Sequence, residues 1–218
     1  MGSVKMLGAL AGDIIGSVYE FHNTWSTDFD LFTPWSKFTD DTVMTLAVAK
    51  WLVEDDAHTI HYLIYCMQEL GQRYPKAGYG GNFDWWLRQD NPQPYNSWGN
   101  GSAMRVSPVG LYAKTLDEAL ALAALTASVS HNHPEGVKGA QAIATSVFLC
   151  KQGKPKQEIK AMAGAIAVCM YLIPDEIAER CDNILTDDLR DIKNRFIEFV
   201  ENRPEMPGRK PCERLAML

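Results

Sequence analysis

The sequence predicts an all-α protein, a compact bundle of several helices. Apolar residues recur at three- and four-residue spacing in six segments, and no segment alternates apolar and polar residues over the length of a strand. With 218 residues, 46% of them apolar and 22% charged, the chain is long enough to bury one core. We expect a single domain over residues 1–201 and a mobile C-terminal tail over 202–218. The predicted helices cover residues 42–53, 60–70, 116–129, 137–150, 159–173 and 187–200.

Charge, cysteine content and hydropathy exclude several classes of protein. Acidic residues number 27 and basic residues 21, and a net charge of -6 argues against a nucleic-acid binder. The five cysteines are widely spaced and form no CxxC pair, which is typical of reduced thiols in the cytoplasm. The longest apolar run, 161–173, is shorter than the about 20 residues of a membrane-spanning helix. We therefore expect a cytoplasmic protein without membrane contact.

A polar cluster, Thr39-Asp40-Asp41, directly precedes the first predicted helix. The simplest interpretation is a helix start, in which Thr39 is the N-cap and the two acids face the positive end of the helix dipole. The alternative is a hard-cation site, because a hydroxyl and two carboxylates offer only the oxygen ligands that Mg²⁺ prefers. Adjacent side chains on a helix diverge by about 100°. Asp40 and Asp41 are therefore better placed to bind two neighbouring ions than to bind one ion together.

A second cluster spans residues 8–20 near the N-terminus. Its small residues Gly8, Gly12 and Gly16 share one helix face, and we expect this face to pack closely against another helix. Close packing does not explain the two acids of this cluster, Asp13 and Glu20. They also share a face, which places Glu20 at the helix end, where it can project into a site.

The segment 74–108 combines glycine, proline and aromatic residues, which favours either a functional loop or an ordered loop packed by its own aromatic side chains. Within it, the turn 96–105 contains glycines that let backbone N–H groups approach an anion such as a phosphate. Further along, His131 and His133 form an HxH pair that lacks a third soft ligand nearby. Substrate contact by His131 is one interpretation, and a helix-capping loop is the other.

Taken in order, four motifs resemble the ADP-ribosylglycohydrolase family: GDIIGSVYE, FTDDTVMTLAVA, NSWGNGSAMRVSPVG and SHNHPEGVKGAQA. The resemblance runs over residues 6–150 and resumes over 161–199. It implies an all-α fold, two bound Mg²⁺ ions, and cleavage of the glycosidic bond that joins ADP-ribose to a side chain. The implied partners are an ADP-ribose-containing substrate or an ADP-ribosylated protein.

The resemblance also assigns roles to individual residues. Thr39, Asp40 and Asp41 match the first set of metal ligands, and Glu20, Asp40 and Asp41 match the catalytic acids. The substrate-binding positions it implies are Gly80, Gly81, Ser97, Trp98, Gly99, Asn100, Gly101 and His131.

One departure from the family pattern bears on catalysis. The family completes its metal centre with a late Asp-x-Asp-Thr motif before a small-residue helix; here the helix AMAGAIA is present at 161–167, but residues 156–160 lack the motif. The chain is thus a shortened version of the family, with several dozen residues missing at that point. Thr186-Asp187-Asp188 echoes the first triplet, but its position indicates an ordinary helix start.

The missing motif leaves three hypotheses open. The first is a Mg²⁺-dependent hydrolase. It binds two metal ions, or a single ion if the second set of ligands is lost. The second is a catalytically impaired ADP-ribose or nucleotide-binding module that lacks the second half of the metal site, and in which one bound metal ion or none is possible. The third is a shortened chain that mainly self-associates as a homo-oligomer, because the loss strips packing from the bundle.

Overall fold

Helices joined by loops, without a β-strand, make up the residues that the computed structural model describes, 4–154 and 175–202. This confirms the predicted all-α class. The described residues form nine α-helices and a 3₁₀ turn at Asn100–Ser102. The helices are α1 Val4–Gly16, α2 Asp40–Glu54, α3 Ile60–Arg73, α4 Gly81–Trp86, α5 Ser107–Tyr112, α6 Leu116–Ser128, α7 Pro134–Lys151, α8 Asp175–Ile184 and α9 Asp187–Asn202.

Five of the six helices predicted from periodicity are confirmed, as α2, α3, α6, α7 and α9. The sixth, 159–173, lies outside the described residues, as do the AMAGAIA segment, the linking residues 156–160 and the tail 203–218. The prediction missed α8 and the short helices α4 and α5. α4 lies inside the segment 74–108 and α5 begins at its end; each has six residues, too few to show a helical period. No helix in the described ranges is long and apolar enough to cross a membrane.

α2 is the central helix of the core. Ten of its fifteen residues are buried, and it packs against α1, α3, α5 and α9. The sequence indicated a single apolar face, but the helix is buried on all sides from Thr42 to Ala49. The position of the first turn of α2 is therefore fixed by the whole core.

Threonine side chains cap three of the helices, and the sequence predicted the first of them, Thr39. Thr39, Thr59 and Thr115 accept hydrogen bonds from backbone N–H groups in the first turns of α2, α3 and α6. At α7 the cap is His133, whose ring accepts from the N–H of Glu135, and Pro134 occupies the first helical position. The helix-capping interpretation of the HxH pair thus applies to His133.

The expected close packing of the glycine face of α1 is wrong for two of its three members. Gly12 and Gly16 are exposed, and a Cβ atom added at either would meet no heavy atom within 4 Å. α1 instead buries Leu10 and Ile14, which lie on the other side of the helix. The closest backbone approach involves Gly110 on α5, where an added Cβ would lie 2.5 Å from the carbonyl oxygen of Ala144 on α7.

We predict that Gly110→Ala and Gly12→Ala change stability in opposite directions. At Gly110 the added methyl group forces α5 and α7 apart, which costs about 1–3 kcal/mol. At the exposed Gly12, alanine restricts the unfolded chain and stabilises the protein by about 0.5–1 kcal/mol. Urea denaturation of both variants and the wild type measures the two effects. Equal midpoints for the two variants would contradict the described contact between α5 and α7.

Candidate functional site

Asp13 on α1 holds the N-terminus of α2 in place. Its carboxylate accepts four hydrogen bonds: from the backbone N–H of Thr39 at 2.8 Å, from the Thr39 hydroxyl at 2.5 Å, and from the N–H and hydroxyl of Thr42 at 3.2 and 2.5 Å. Thr39 in turn accepts from the N–H of Asp41 at 3.3 Å. Asp13, left unexplained by its sequence pattern, thus orients the Thr39-Asp40-Asp41 triplet.

The two acids that follow are only partly exposed and lie among other carboxylates. Burial raises the pKa of Asp40 to about 6, and the charges of Asp13 and Glu20 add to the rise, partly opposed by a backbone hydrogen bond. Burial raises the pKa of Asp41 to about 7, with further contributions from the charges of Asp13, Asp40 and Glu20. The four acids form an anionic cluster at the start of α2, and Glu20 belongs to it although its side chain is exposed.

This cluster fits a divalent cation in its donor chemistry. It offers only oxygen atoms, and a bound cation would offset the repulsion that raises the pKas of Asp40 and Asp41. In the described residues, no three His, Cys, Asp or Glu side chains are arranged as a ready metal-binding group. Thr39, Asp40 and Asp41 would therefore need water, substrate or further ligands to complete a coordination shell.

The glycine segment 78–81 lies beside Asp40. Gly78 has φ +109°, a conformation that side-chain-bearing residues rarely adopt, and an added Cβ would lie 3.6 Å from Oδ1 of Asp40. The backbone N–H of Asp40 also donates to the Ala77 carbonyl at 2.9 Å. Gly80 and Gly81 are exposed, and an added Cβ at either meets no atom within 4 Å, so packing does not require glycine there.

Three hydrogen bonds tie the segment 95–102 to the loop before α7 and to the first turn of α7. The N–H of Tyr95 donates to the Ser130 carbonyl at 3.1 Å, the N–H of Asn96 donates to Oδ1 of Asn132 at 2.7 Å, and the Ser102 hydroxyl donates to the Gly136 carbonyl at 2.8 Å. A Cβ at Gly136 would lie 2.8 Å from the Ser97 carbonyl oxygen, so the loop touches the backbone of the first turn of α7.

Two of the predicted substrate-binding residues of this loop lie near His131: Gly101 next to its ring, and Ser97, whose carbonyl lies with that of His131 beside Gly136. Gly101 is in contact with the imidazole, because an added Cβ would lie 2.7 Å from its Nε2. Ser97 accepts from the N–H of Gly99 at 3.2 Å and so shapes the turn. Trp98 is 74% exposed, and Gly99 and Asn100 are exposed as well. A ligand can therefore reach these residues from solvent.

His131 itself is nearly buried, with 5% of its surface exposed. Burial and, to a smaller extent, the nearby charge of Arg105 together lower its pKa to about 4, so the ring is neutral at physiological pH. It lies against Tyr95, with ring centroids 5.4 Å apart, and Phe83, with centroids 6.3 Å apart.

The acidic cluster and the His131 loops meet through two connections. The Thr45 hydroxyl, one turn along α2 from Asp41, donates to the Met104 carbonyl at 3.3 Å. On the other side, the Tyr79 ring packs against Phe83, and the charge of Asp40 contributes to raising the pKa of Tyr79, after burial. The structure thus places predicted metal ligands and predicted substrate residues in one neighbourhood.

A family model described as ADP-ribosylglycohydrolase matches residues 5–210. The chain belongs to the ADP-ribosylglycohydrolase family. Similar proteins include ADP-ribosylhydrolase ARH3 of Mus musculus and of Homo sapiens, each 30% identical over 183 residues, and that of Bos taurus, 28% identical. The matches cover 70% of this chain and 50% of each relative, so the chain spans about half the length of the curated relatives it matches.

The second acidic triplet is not part of this site in the ADP-ribosylglycohydrolase chain. Thr186 precedes α9 and its carbonyl accepts from the N–H of Arg190, as its interpretation as a helix start predicts. Asp188 pairs with Arg73 of α3 at 2.6 Å and accepts from Tyr74, and these hydrogen bonds hold its pKa well below its usual range although burial opposes them. The triplet joins α3 to α9.

Four residues of the site were missed when roles were assigned by motif. Gly78 and Tyr79 precede the predicted glycines, and only the fold brings them to Asp40. Asp13 lies within the motif GDIIGSVYE. It is the acidic residue of an otherwise mostly apolar helix, and this could have indicated that it binds a neighbouring element. Arg105, the last residue of the turn 96–105, is fully buried, which its charge did not indicate.

We predict that Asp13→Ala destabilises the protein by about 2–4 kcal/mol. The substitution leaves two hydroxyls and two backbone N–H groups without their charged acceptor. Urea denaturation measures the loss, and Asp56→Ala, at an exposed position, is the matched control. A loss no larger than that of the control would show that Asp13 does not hold α2.

Proposed function

We propose that this chain is a hydrolase that cleaves the glycosidic bond between ADP-ribose and a protein side chain. The observation that carries the proposal is the convergence of the acidic cluster of Asp13, Glu20, Asp40 and Asp41 with the loops around His131. Family membership supports the reaction class, and the ARH3 relatives are named as ADP-ribosylhydrolases. The substrates we infer are ADP-ribosylated proteins or related ADP-ribosyl compounds.

Thr39, Asp40 and Asp41 would hold Mg²⁺ in this proposal. When bound, Mg²⁺ supplies a Lewis acid that polarises ribose oxygens and lowers the pKa of water. In this proposal Asp13 keeps the Thr39-Asp40-Asp41 triplet oriented. Glu20 can close over the site from its exposed loop. One ion or two are both compatible with this donor set.

The loops around His131 would bind the ADP-ribosyl group. Gly99 and Asn100 offer exposed backbone on a turn held by Ser97, and Gly80 and Gly81 offer exposed backbone shortly after Gly78, which lies beside Asp40. Trp98 offers a large exposed aromatic face, of the kind that stacks on a nucleobase. A bound ligand would span the distance between the acidic cluster and His131.

The second candidate function is an ADP-ribose-binding module without hydrolytic activity. It is favoured by the absence of a ready three-ligand metal group among the described residues, together with the lack of the late acidic motif in the sequence. In that case the His131 loops would bind the ligand while the acidic cluster stays without a catalytic role. Homo-oligomer formation and a cytoplasmic location stay predictions.

We predict that the wild type releases ADP-ribose in the presence of Mg²⁺ and that Asp40→Ala and Asp41→Ala each lower the rate at least about 100-fold. Loss of outer-shell partners already costs metal sites about 10–100-fold, and these residues would touch the metal. Peptides carrying ADP-ribosyl-serine and ADP-ribosyl-arginine are the two substrates, and Asp56→Ala is the control. ADP-ribose binding by calorimetry without any release would favour the binding module instead.

We also predict that Mg²⁺ stabilises the protein more at about pH 8 than at about pH 5. The folded-state pKas of Asp40 and Asp41 are raised to about 6 and about 7 from 3.8. The contribution of these two carboxyl groups to metal-free stability is therefore fully present below a pH of about 4, and it is lost as the pH rises through about 6 and about 7. Mg²⁺ binds the ionised carboxylates and offsets that loss; at 100 times its dissociation constant it adds about 2.7 kcal/mol.

The measurement is the melting temperature with Mg²⁺ and with EDTA at both pH values. The double variant Asp40→Asn, Asp41→Asn should show no Mg²⁺ response at either. An equal Mg²⁺ response at the two pH values would exclude these carboxylates as the metal ligands.

A further inference from the structure

Behind His131 lies a buried cation. Arg105 is fully buried, and its Nη2 donates to the Thr126 carbonyl at 2.7 Å and to the Ser130 hydroxyl oxygen at 2.8 Å. Its guanidinium lies 5.6 Å from the centre of the Phe83 ring. Burial lowers the pKa of Arg105 only to about 10, so the group is charged at neutral pH. Within 4–154 and 175–202, no carboxylate forms an ion pair with it.

The Ser130 hydroxyl connects this cation to His131. Its oxygen lies 2.9 Å from Nδ1 of His131, and Ser130 is fully buried. Since an arginine can only donate, Ser130 accepts from Arg105 and its own proton needs an acceptor elsewhere. Nδ1 of His131 is the acceptor that the described residues provide. A buried hydroxyl proton left unpaired costs about 1–3 kcal/mol, which favours donation from Ser130 to Nδ1.

Donation to Nδ1 determines the state of the imidazole. A neutral ring whose Nδ1 accepts carries its proton on Nε2. Protonating Nδ1 as well would break the hydrogen bond from Ser130 and add a second positive charge next to Arg105. Nε2 faces Gly101, whose missing side chain leaves it room, and no hydrogen bond from Nε2 to another described residue is found.

We propose that Arg105 and Ser130 are positioning residues that fix His131 as the neutral tautomer with its proton on Nε2, so that the ring donates a hydrogen bond to a ribose hydroxyl or phosphate oxygen of a bound ADP-ribosyl group. The ligand half of this inference rests on the proposed function; the tautomer half stands on the contacts alone. Arg105 acts through Ser130 and does not itself touch the ligand.

The first experiment measures the tautomer in the ligand-free full chain. Protein labelled with ¹⁵N in histidine reports the protonation of each imidazole nitrogen by long-range ¹H–¹⁵N correlation, and the signal of His131 is assigned by its loss in His131→Gln. The wild type should carry its proton on Nε2 at neutral pH. Ser130→Ala should shift His131 to a mixture of the two neutral tautomers.

Ser146→Ala is the matched control, because Ser146 is equally buried and its hydroxyl donates only to the Ala142 carbonyl on its own helix. It removes the same group at the same depth and should leave the His131 signals unchanged. A proton on Nδ1 in the wild type, or an unchanged tautomer in Ser130→Ala, would overturn the positioning role.

The second experiment measures ADP-ribose binding by calorimetry. Ser130→Ala should weaken the affinity about 5–10-fold, the loss expected for one hydrogen bond, while Ser146→Ala should leave it unchanged. Equal affinity of Ser130→Ala and the wild type would overturn the donor role of His131. A wild type that does not bind ADP-ribose would overturn the proposed function and the donor role together, and the tautomer assignment would then be decided by the NMR result alone.

Discussion

The hydrogen bonds between Asp13 and the first turn of α2 are the interaction on which the site depends. They connect the consecutive helices α1 and α2 across a separation of 26 to 29 residues, and they orient Asp40 and Asp41 through Thr39 and Thr42. The same carboxylate adds a negative charge to an acidic cluster and thereby raises the pKas of its neighbours. The Asp13 carboxylate thus stabilises the contact between α1 and α2 and at the same time repels the carboxylates of Asp40 and Asp41. A bound cation would offset this repulsion without disturbing the hydrogen bonds.

The position of α2 depends in turn on the helices that surround it. It is buried on all sides, so the direction of its N-terminus is set by the packing of α1, α3, α5 and α9. Thr45 carries the connection to Met104, next to the turn that contacts His131. A site assembled in this way is as rigid as the core behind it, which suits chemistry that requires fixed ligand positions.

The two halves of the site differ in their electrostatics. Around Asp40 and Asp41 the charge is negative and partly exposed, which suits a cation and the hydroxyl groups it would bind. The His131 ring is neutral, and the charge that lies near it is the buried guanidinium of Arg105. The Ser130 hydroxyl connects this guanidinium to the ring. A substrate that extends over both halves would meet a cation-binding region at one end and hydrogen-bond donors at the other.

The sequence by itself determined the helical class, five helices from their periodicity, the cap Thr39, and the family with its candidate residues. These are local properties, since a helical period and a cap depend on residues within a few positions of each other. Only the tertiary structure decided that Asp13 clamps α2, that Gly12 and Gly16 face solvent, and that Gly78 and Tyr79 lie beside Asp40. It also decided that Arg105 is buried behind His131, because contacts between distant segments depend on how the whole core packs.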